Sequence, residues 1–468
     1  MLDRELLSKI IKKTLSKGGD YADVFVEWRQ PTYIQLEDKK IEKVVSGTEF
    51  GVGIRLLWSG KTAYAYCNDV SRKTLLETAG ILGKAIKSTP SEHRVIDLDL
   101  RIKTPSLNFQ IKLPPEGIAM ERKINLVRSA NDTAWAVDKR IKQVSVIYRD
   151  SVQKVQVATS EAEIAEDERI HTVFIINVVA EEDGIIQTGY ETAGGLIGFE
   201  LFDETPVEGL SIKAGGRAIM MLKARRAPAG RMPAIVSSEA GGTMIHEAIG
   251  HGIEADLAEQ GLSSFSGKIG TQVASSLITV IDDSTLPNKR GSFRFDDEGT
   301  PSQRTVLVKD GVLISYMHDK LTAMKAGVSP TGNGRRQSYE FRPIPRMTNT
   351  FIASGISSSK DVLKATKNGL FVKKMGGGQV NTITGDFVFD VLEGYLIEEG
   401  SIGEPVRGAT LTGNGPEVLM SIDMVSSDLG FSIGTCGKDS QGVPVSDAMP
   451  TVRIPEIVVG GEALPSAE

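Results

Sequence analysis

The sequence predicts an α+β fold, with helices and extended, largely antiparallel sheets in an N-terminal region and a strand-rich C-terminal domain. Three observations carry this. Apolar residues at helical spacing are confined to a few segments, while strand-like alternation bounded by Gly and Asp-Gly turns fills most of the rest. Helical and strand segments are segregated rather than strictly alternating, which separates this chain from a doubly wound α/β protein. Glycine is also abundant, at 49 of 468 residues, above the usual share of about 7%, as many tight turns between strands require.

The elements follow in order. Leu2, Leu6, Leu7, Ile10, Ile11 and Leu15 form one face of an amphipathic helix over about 3–17. Alternation then marks strands at Asp23–Trp28, Tyr33–Glu37, Gly53–Trp58 and Lys61–Tyr66. A second helix, about 71–87, carries Leu75, Leu76, Ala79, Leu82 and Ile86. Residues 88–115, with Pro90, Pro105, Pro114 and Pro115, read as a linker. A long helix over about 116–138 precedes strands at Val144–Tyr148, Val152–Val157 and Thr172–Val179. Glu182-Asp183-Gly184 is a hairpin turn. A helix near 205–225 ends this region. The basic stretch Lys223–Arg231 reads as a solvated boundary. These breaks divide the chain into 1–95, 96–228 and 229–468, the first two able to pack as one unit. The last unit opens with a strand at Pro233–Ser238. It continues with strands at Ser276–Ile281, Gly369–Lys373 and Phe387–Val391, and a hairpin at Lys309-Asp310-Gly311.

Bulk properties exclude several classes. Hydrophobic residues make up 40% and charged residues 24%, an ordinary globular composition. A net charge of −6 argues against broad binding of nucleic-acid backbones. No apolar run approaches the length of a membrane span, and the N-terminus lacks the pattern of a signal peptide. Two cysteines, Cys67 and Cys436, make no disulfide framework, so a reducing cytoplasm is the expected compartment.

The chemistry concentrates at His246-Glu247-Ala248-Ile249-Gly250-His251, which holds two of the five histidines. Two imidazoles beside a carboxylate are the parts of a zinc hydrolase site. The spacing, however, is H-E-x-x-x-H rather than H-E-x-x-H. On a regular helix, ligands at i and i+4 lie about 40° apart, whereas i and i+5 lie about 140° apart and cannot readily share an ion. A π-bulge absorbs one extra residue, and Gly250 and Gly252 flank His251. The expectation is therefore an irregular helix at Ile249–Gly252; the plainer reading is a surface helix end. A catalytic zinc needs a third protein ligand. Cys436, between glycines in Gly434-Thr435-Cys436-Gly437-Lys438, and Glu254 both qualify, with Asp256 a weaker version of the latter.

Other patterns carry less. Gly60-Lys61-Thr62 lacks the earlier glycine of a phosphate loop, and Gly376-Gly377-Gly378-Gln379 suits a bulge or a close backbone approach. The acidic run Asp296-Asp297-Glu298 reads as a solvated turn. His93, His171 and His318 stand alone, and Cys67 is a core residue.

Taken together, these residues resemble the TldD/PmbA family on its TldD side. The segment from His246 to Asp256 carries the family's H-E-x-x-x-H signature. The likeness continues through Ser266–Gly270, Asp297–Pro301, Thr331–Arg336, Arg346–Thr350, Gly376–Val380, Gly408–Leu411, Gly413–Glu417 and Cys436–Lys438. It is dense over about 232–455 and looser before. The resemblance implies a zinc metalloprotease acting on small or unfolded polypeptides, with His246, His251 and Cys436 as ligands of one zinc and Glu247 as the catalytic carboxylate. It also implies a dimer, either of this chain or with a PmbA/TldE-like homologue that lacks the motif. Arg335, Arg336, Tyr339 and Arg346 are candidates for substrate or oxyanion contacts. A non-hydrolytic peptide-binding or structural-metal partner subunit is the alternative, which an intact Glu247 disfavours. A DNA-associated role and a non-haem iron oxygenase are more remote.

Overall fold

The computed structural model describes residues 1–85 and 98–461. Ile86, Pro90 and His93 lie outside the described residues. Helix α1 (Arg4–Thr14) begins where the Asp3 carboxylate accepts the Leu6 N–H at 2.8 Å. Helix α2 (Arg72–Gly83) is capped in the same way by Ser71. Both pack their apolar faces on one end of a long sheet.

That sheet contains β1 (Tyr21–Glu37), β2 (Lys40–Ser46), β3 (Glu49–Trp58), β4 (Lys61–Cys67), β5 (Arg101–Ile102), β6 (Ile141–Thr159), β7 (Glu163–Glu182) and β8 (Ile185–Gly195). The order is β4-β3-β1-β6-β7-β5, with β2 beside β1 and β8 beside β7. Here the structure differs from the expectation of short strands. Residues 23–28 and 33–37 belong to one continuous strand, and so do 144–148 and 152–157. Pro31 does not break β1 because it sits where the neighbour on one side changes from β3, which pairs with Tyr21–Arg29, to β2, which pairs with Thr32–Glu37. A residue without an N–H is tolerated at such a gap.

Alternation along β1 then assigns its faces. Val24 and Val26 point to α1 and α2, and Ile34 and Leu36 to α3 (Met120–Val137) and the Val207–Lys223 helix. The opposite face carries Phe25, which packs with Val155, Val157 and Tyr339. One sheet thus draws on both of the first two expected units. The turns at Asp183-Gly184 and Asp310-Gly311 have the positive φ angles of tight hairpins.

In the C-terminal region, strands Asn368–Val380, Gly230–Val236, Val452–Gly460, Thr410–Asn414 and Asp386–Glu398 pair in succession. A further pairing of the first with the last closes a barrel-like ring. A six-stranded sheet stands beside it and ends in Gln441–Met449 and the edge strand Gly430–Lys438. The Lys223–Arg231 stretch is not a free linker, since Arg225–Arg226 pairs in parallel with the Ser401–Arg407 strand. Among the described residues, no helix is long and apolar enough to cross a membrane.

The two regions meet through buried charge, which corrects the reading of Asp296–Glu298 as a solvated turn. All three residues are buried. Arg55 of β3 pairs with Glu298 at 2.6 Å and with Asp23 at 2.5 Å. Arg169 of β7 pairs with Asp297 at 2.7 Å, and Arg336 donates to the Asp297 carbonyl at 2.7 Å. Asp297 and Glu298 can be buried here because arginines on the facing sheet satisfy them, and Asp296 because its carboxylate accepts the backbone N–H groups of Glu298, Thr300 and Gly334.

Candidate metal centre

The segment from Thr243 to Ile253 runs through the core, not over the surface. Ile245, Ile249 and Ile253 are fully buried among residues of the barrel and the six-stranded sheet. Each such side chain contributes about 1.5–3 kcal/mol of apolar burial. A short α-turn at Thr243–Ile245 passes into a π-turn at His246–Gly250 and a 3₁₀ turn at His251–Ile253. The irregularity falls where the spacing requires it. Close packing holds it there: a side chain on Gly250 would strike Met347, and a Cβ on Gly252 would lie 2.6 Å from the Phe265 ring.

The π-turn brings the imidazoles together, with ring centroids 5.0 Å apart and planes at 85°. Cys436, on the edge strand, completes the group. One donor atom from each of His246, His251 and Cys436 lies within 4.8 Å of the others, and Cys436 Sγ is 3.5 Å from His251 Nε2. Glu254 is not the third member. It stands behind His251, accepting from Nδ1 at 3.0 Å, and Asp256 is turned to Lys438 at 2.6 Å.

Each imidazole is oriented from behind. His246 Nδ1 donates to Asp447 at 2.8 Å, and His251 Nδ1 to Glu254, which leaves the Nε2 atoms facing the thiol. Lys438 reaches Glu254 at 3.1 Å. Burial alone would raise the Glu254 carboxyl, but Lys438, His251 and Arg346 outweigh it and hold it at about 2. Burial would likewise raise the Cys436 thiol, yet the two imidazoles draw it down to about 5. Burial works against charge on His251, but Glu254 and the thiolate lift it to about 10; Asp447 acts in the same direction on His246. Two imidazoles and a thiolate, each imidazole backed by a carboxylate, suit a borderline-soft divalent ion such as zinc.

His246 and Glu247 open onto a cleft of about 800 Å³ between β8, the Lys374–Gly377 stretch and the edge strand. Burial raises the Glu247 carboxyl above its ordinary range, and the neighbouring imidazoles only partly offset this. Gly376 and Gly377 line the cleft at a bulge in their strand.

None of Arg335, Arg336, Tyr339 and Arg346 lines this cleft. Arg346 is fully buried, its guanidinium donating to the carbonyls of Cys436 and Gln441. It holds the strand that presents the thiol and offers no donor to a substrate. Arg335 is committed to the carbonyls of Met347 and Pro444, Arg336 to the regional interface, and the Tyr339 carbonyl accepts from Tyr64. Sequence reasoning missed Asp447 and Lys438 as supports. Asp447 was detectable only as a lone carboxylate following the apolar alternation of Val443 and Val445. His318 and His171 are structural: His318 Nδ1 meets Thr322, and His171 Nε2 donates to the Arg290 carbonyl.

A π-turned H-E-x-x-x-H segment, closed by a thiol from a distant edge strand, defines a candidate mononuclear metal hydrolase. Family models for the PmbA/TldA metallopeptidases match in three consecutive parts: domain 1 at 22–86, the central domain at 113–222 and the C-terminal domain at 229–461. The chain belongs to the TldD/PmbA family of metallopeptidases. It is 39% identical to a metalloprotease TldD homolog of Haemophilus influenzae, over 98% of this chain and 97% of that one. It is 28% identical to a zinc metalloprotease TldD homolog of Saccharolobus solfataricus, over 97% and 99%. Among solved structures, TldE from Thermococcus kodakarensis shares the fold, with a TM-score of 0.74, 17% identity, and 97% and 100% coverage.

Proposed function

We propose that the chain is a zinc-dependent peptidase that hydrolyses peptide bonds in small or unfolded polypeptides. The observation that carries this is the convergence of His246, His251 and Cys436 on one point beside Glu247, at the wall of an open cleft. Those three residues would hold the zinc, which would supply Lewis acidity and make a water easier to deprotonate. Glu247 takes the proton of the attacking water and returns it to the leaving amine nitrogen. A carboxyl raised by burial is better matched to that exchange near neutral pH than an ordinary one.

The edge strand Gly430–Lys438 pairs on one side only. Its open side supports binding of the substrate as an added strand, held by main-chain hydrogen bonds. That mode selects extended chains and reads sequence weakly. The proposed division of labour places the metal site within 229–468 and one cleft wall, β8, within 96–228. The two free cysteines suit a reducing cytoplasm, and a dimer of this chain or with a TldE-like homologue is the proposed assembly.

Replacing Glu247 by Gln tests the reading. The variant retains zinc and loses peptide cleavage; unchanged turnover rules out Glu247 as the base.

A further inference from the structure

A second cavity, of about 510 Å³, lies between the N-terminal sheet and the C-terminal region. One wall is the face of β1, β6 and β7 opposite their helices. The charge around it is unbalanced. Arg169 and Arg336 have Asp297 and Asp23 as partners. Arg29, Arg149, Arg290 and Arg335 also line the cavity and form no ion pair among the described residues. Arg335 is buried, donates to two carbonyls and lies over the Phe293 ring at 5.5 Å. Arg290 donates to the Gly434 carbonyl and to Thr435 Oγ1, and its Nε is buried with no partner. Arg149 stacks on Tyr33 at 5.1 Å. Desolvation, reinforced by Arg149, brings Arg290 down to about 10. Desolvation does the same to Arg335, with Asp297 opposing it. Cationic groups gathered without counter-charge are costly unless an anion joins them.

The cavity adjoins the metal cleft. Thr435 lines both, and it precedes Cys436 on the edge strand. A peptide lying along that strand therefore passes the cationic mouth. Resting on the peptidase reading, we propose that Arg290 and Arg149 bind a carboxylate of the peptide substrate, either its C-terminus or an Asp or Glu side chain, in this cavity. Guanidinium groups suit a planar carboxylate, and a carboxylate is the anion that an unmodified peptide carries.

The test uses Glu247→Gln protein loaded with zinc and three fluorescent peptides of one sequence. The first ends in a free carboxylate, the second is amidated and carries one Glu, and the third is amidated with Gln in its place. The expected result is that one or both anionic peptides bind at least about tenfold tighter than the neutral one; which of them does so identifies the source of the carboxylate. Raised salt shrinks the preference. Arg290→Gln and Arg149→Gln bring the ratio towards one. Arg149→Gln is the deciding variant, because Arg290 also steadies Gly434 and Thr435. Equal affinity for all three peptides, or a ratio that survives Arg149→Gln, overturns the proposal. Cleavage by the zinc-loaded wild type is read separately. Cleavage without a charge preference removes the carboxylate site alone, and charge-selective binding without cleavage removes the peptidase reading alone.

Discussion

The backbone N–H of His251 donates to the carbonyl of His246, five residues back. That single hydrogen bond absorbs the extra residue of H-E-x-x-x-H and leaves the two imidazoles side by side, with ring centroids 5.0 Å apart. Gly250→Ala tests it directly. The new methyl group meets buried Met347, so the expected cost is about 1–3 kcal/mol of stability, together with loss of zinc. A denaturant melt and metal analysis read both. Full zinc content with an intact fold would show that the π-turn is not what holds the ligands in register.

Ligand identity is tested by metal content. His246→Ala, His251→Ala and Cys436→Ala are each expected to lose most bound zinc after dialysis, whereas Glu254→Gln keeps the ion at about 10–100-fold weaker affinity. Equal zinc in wild type and Cys436→Ala rules out the thiol as a ligand.

Zinc uptake near pH 7 is expected to release a proton from each imidazole. Against their burial, Asp447, Glu254 and the Cys436 thiol favour the protonated form of both rings in the metal-free protein, and a metal must displace those protons. Calorimetry in buffers of different ionisation enthalpy counts them. Uptake with no proton release would mean that the rings are neutral before the metal arrives.

Acid stability follows from Glu254. Its carboxyl is held at about 2 against an ordinary 4.5. A depressed acid contributes stability that is fully present above 4.5 and is lost as pH falls towards 2. The contribution amounts to about 3 kcal/mol. Metal-free wild type should therefore weaken steeply across that window, and Glu254→Gln should be weaker at neutral pH and flatter below 4.5. Parallel urea midpoints for the two proteins from pH 5 to 3 would contradict this.

The regional interface depends on Arg55, which is 1% exposed and sits between Asp23 and Glu298. Arg55→Met leaves buried Glu298 without its cation and Asp23 with only Arg336, at 3.7 Å, with an expected loss of about 3–5 kcal/mol. A urea melt unchanged from wild type would show that the pairing carries no such weight.

Much of this was legible from the sequence, and the exceptions share a cause. Helices α1 and α3 and the hairpins at Asp183 and Asp310 follow from local spacing and turn chemistry. The His246–His251 anomaly also forecast its own irregular backbone. What local pattern could not supply was the third dimension. Pro31 reads as a break until both neighbours of β1 are known. Asp296–Glu298 reads as solvated until Arg55 and Arg169 arrive from the other region. Arg346 reads as available until Cys436 and Gln441 claim it. In each case the deciding partner lies far away in the chain.

The span between His251 and Cys436 is 185 residues. A metal held by both, as proposed, acts as a removable staple across most of the C-terminal region. Cross-links that close loops of this size restrict the unfolded chain by several kcal/mol, about 5 for a loop near 100 residues. Zinc supply would then govern the lifetime of the molecule as well as its chemistry: a metal-starved chain opens more often and becomes a substrate for other proteases.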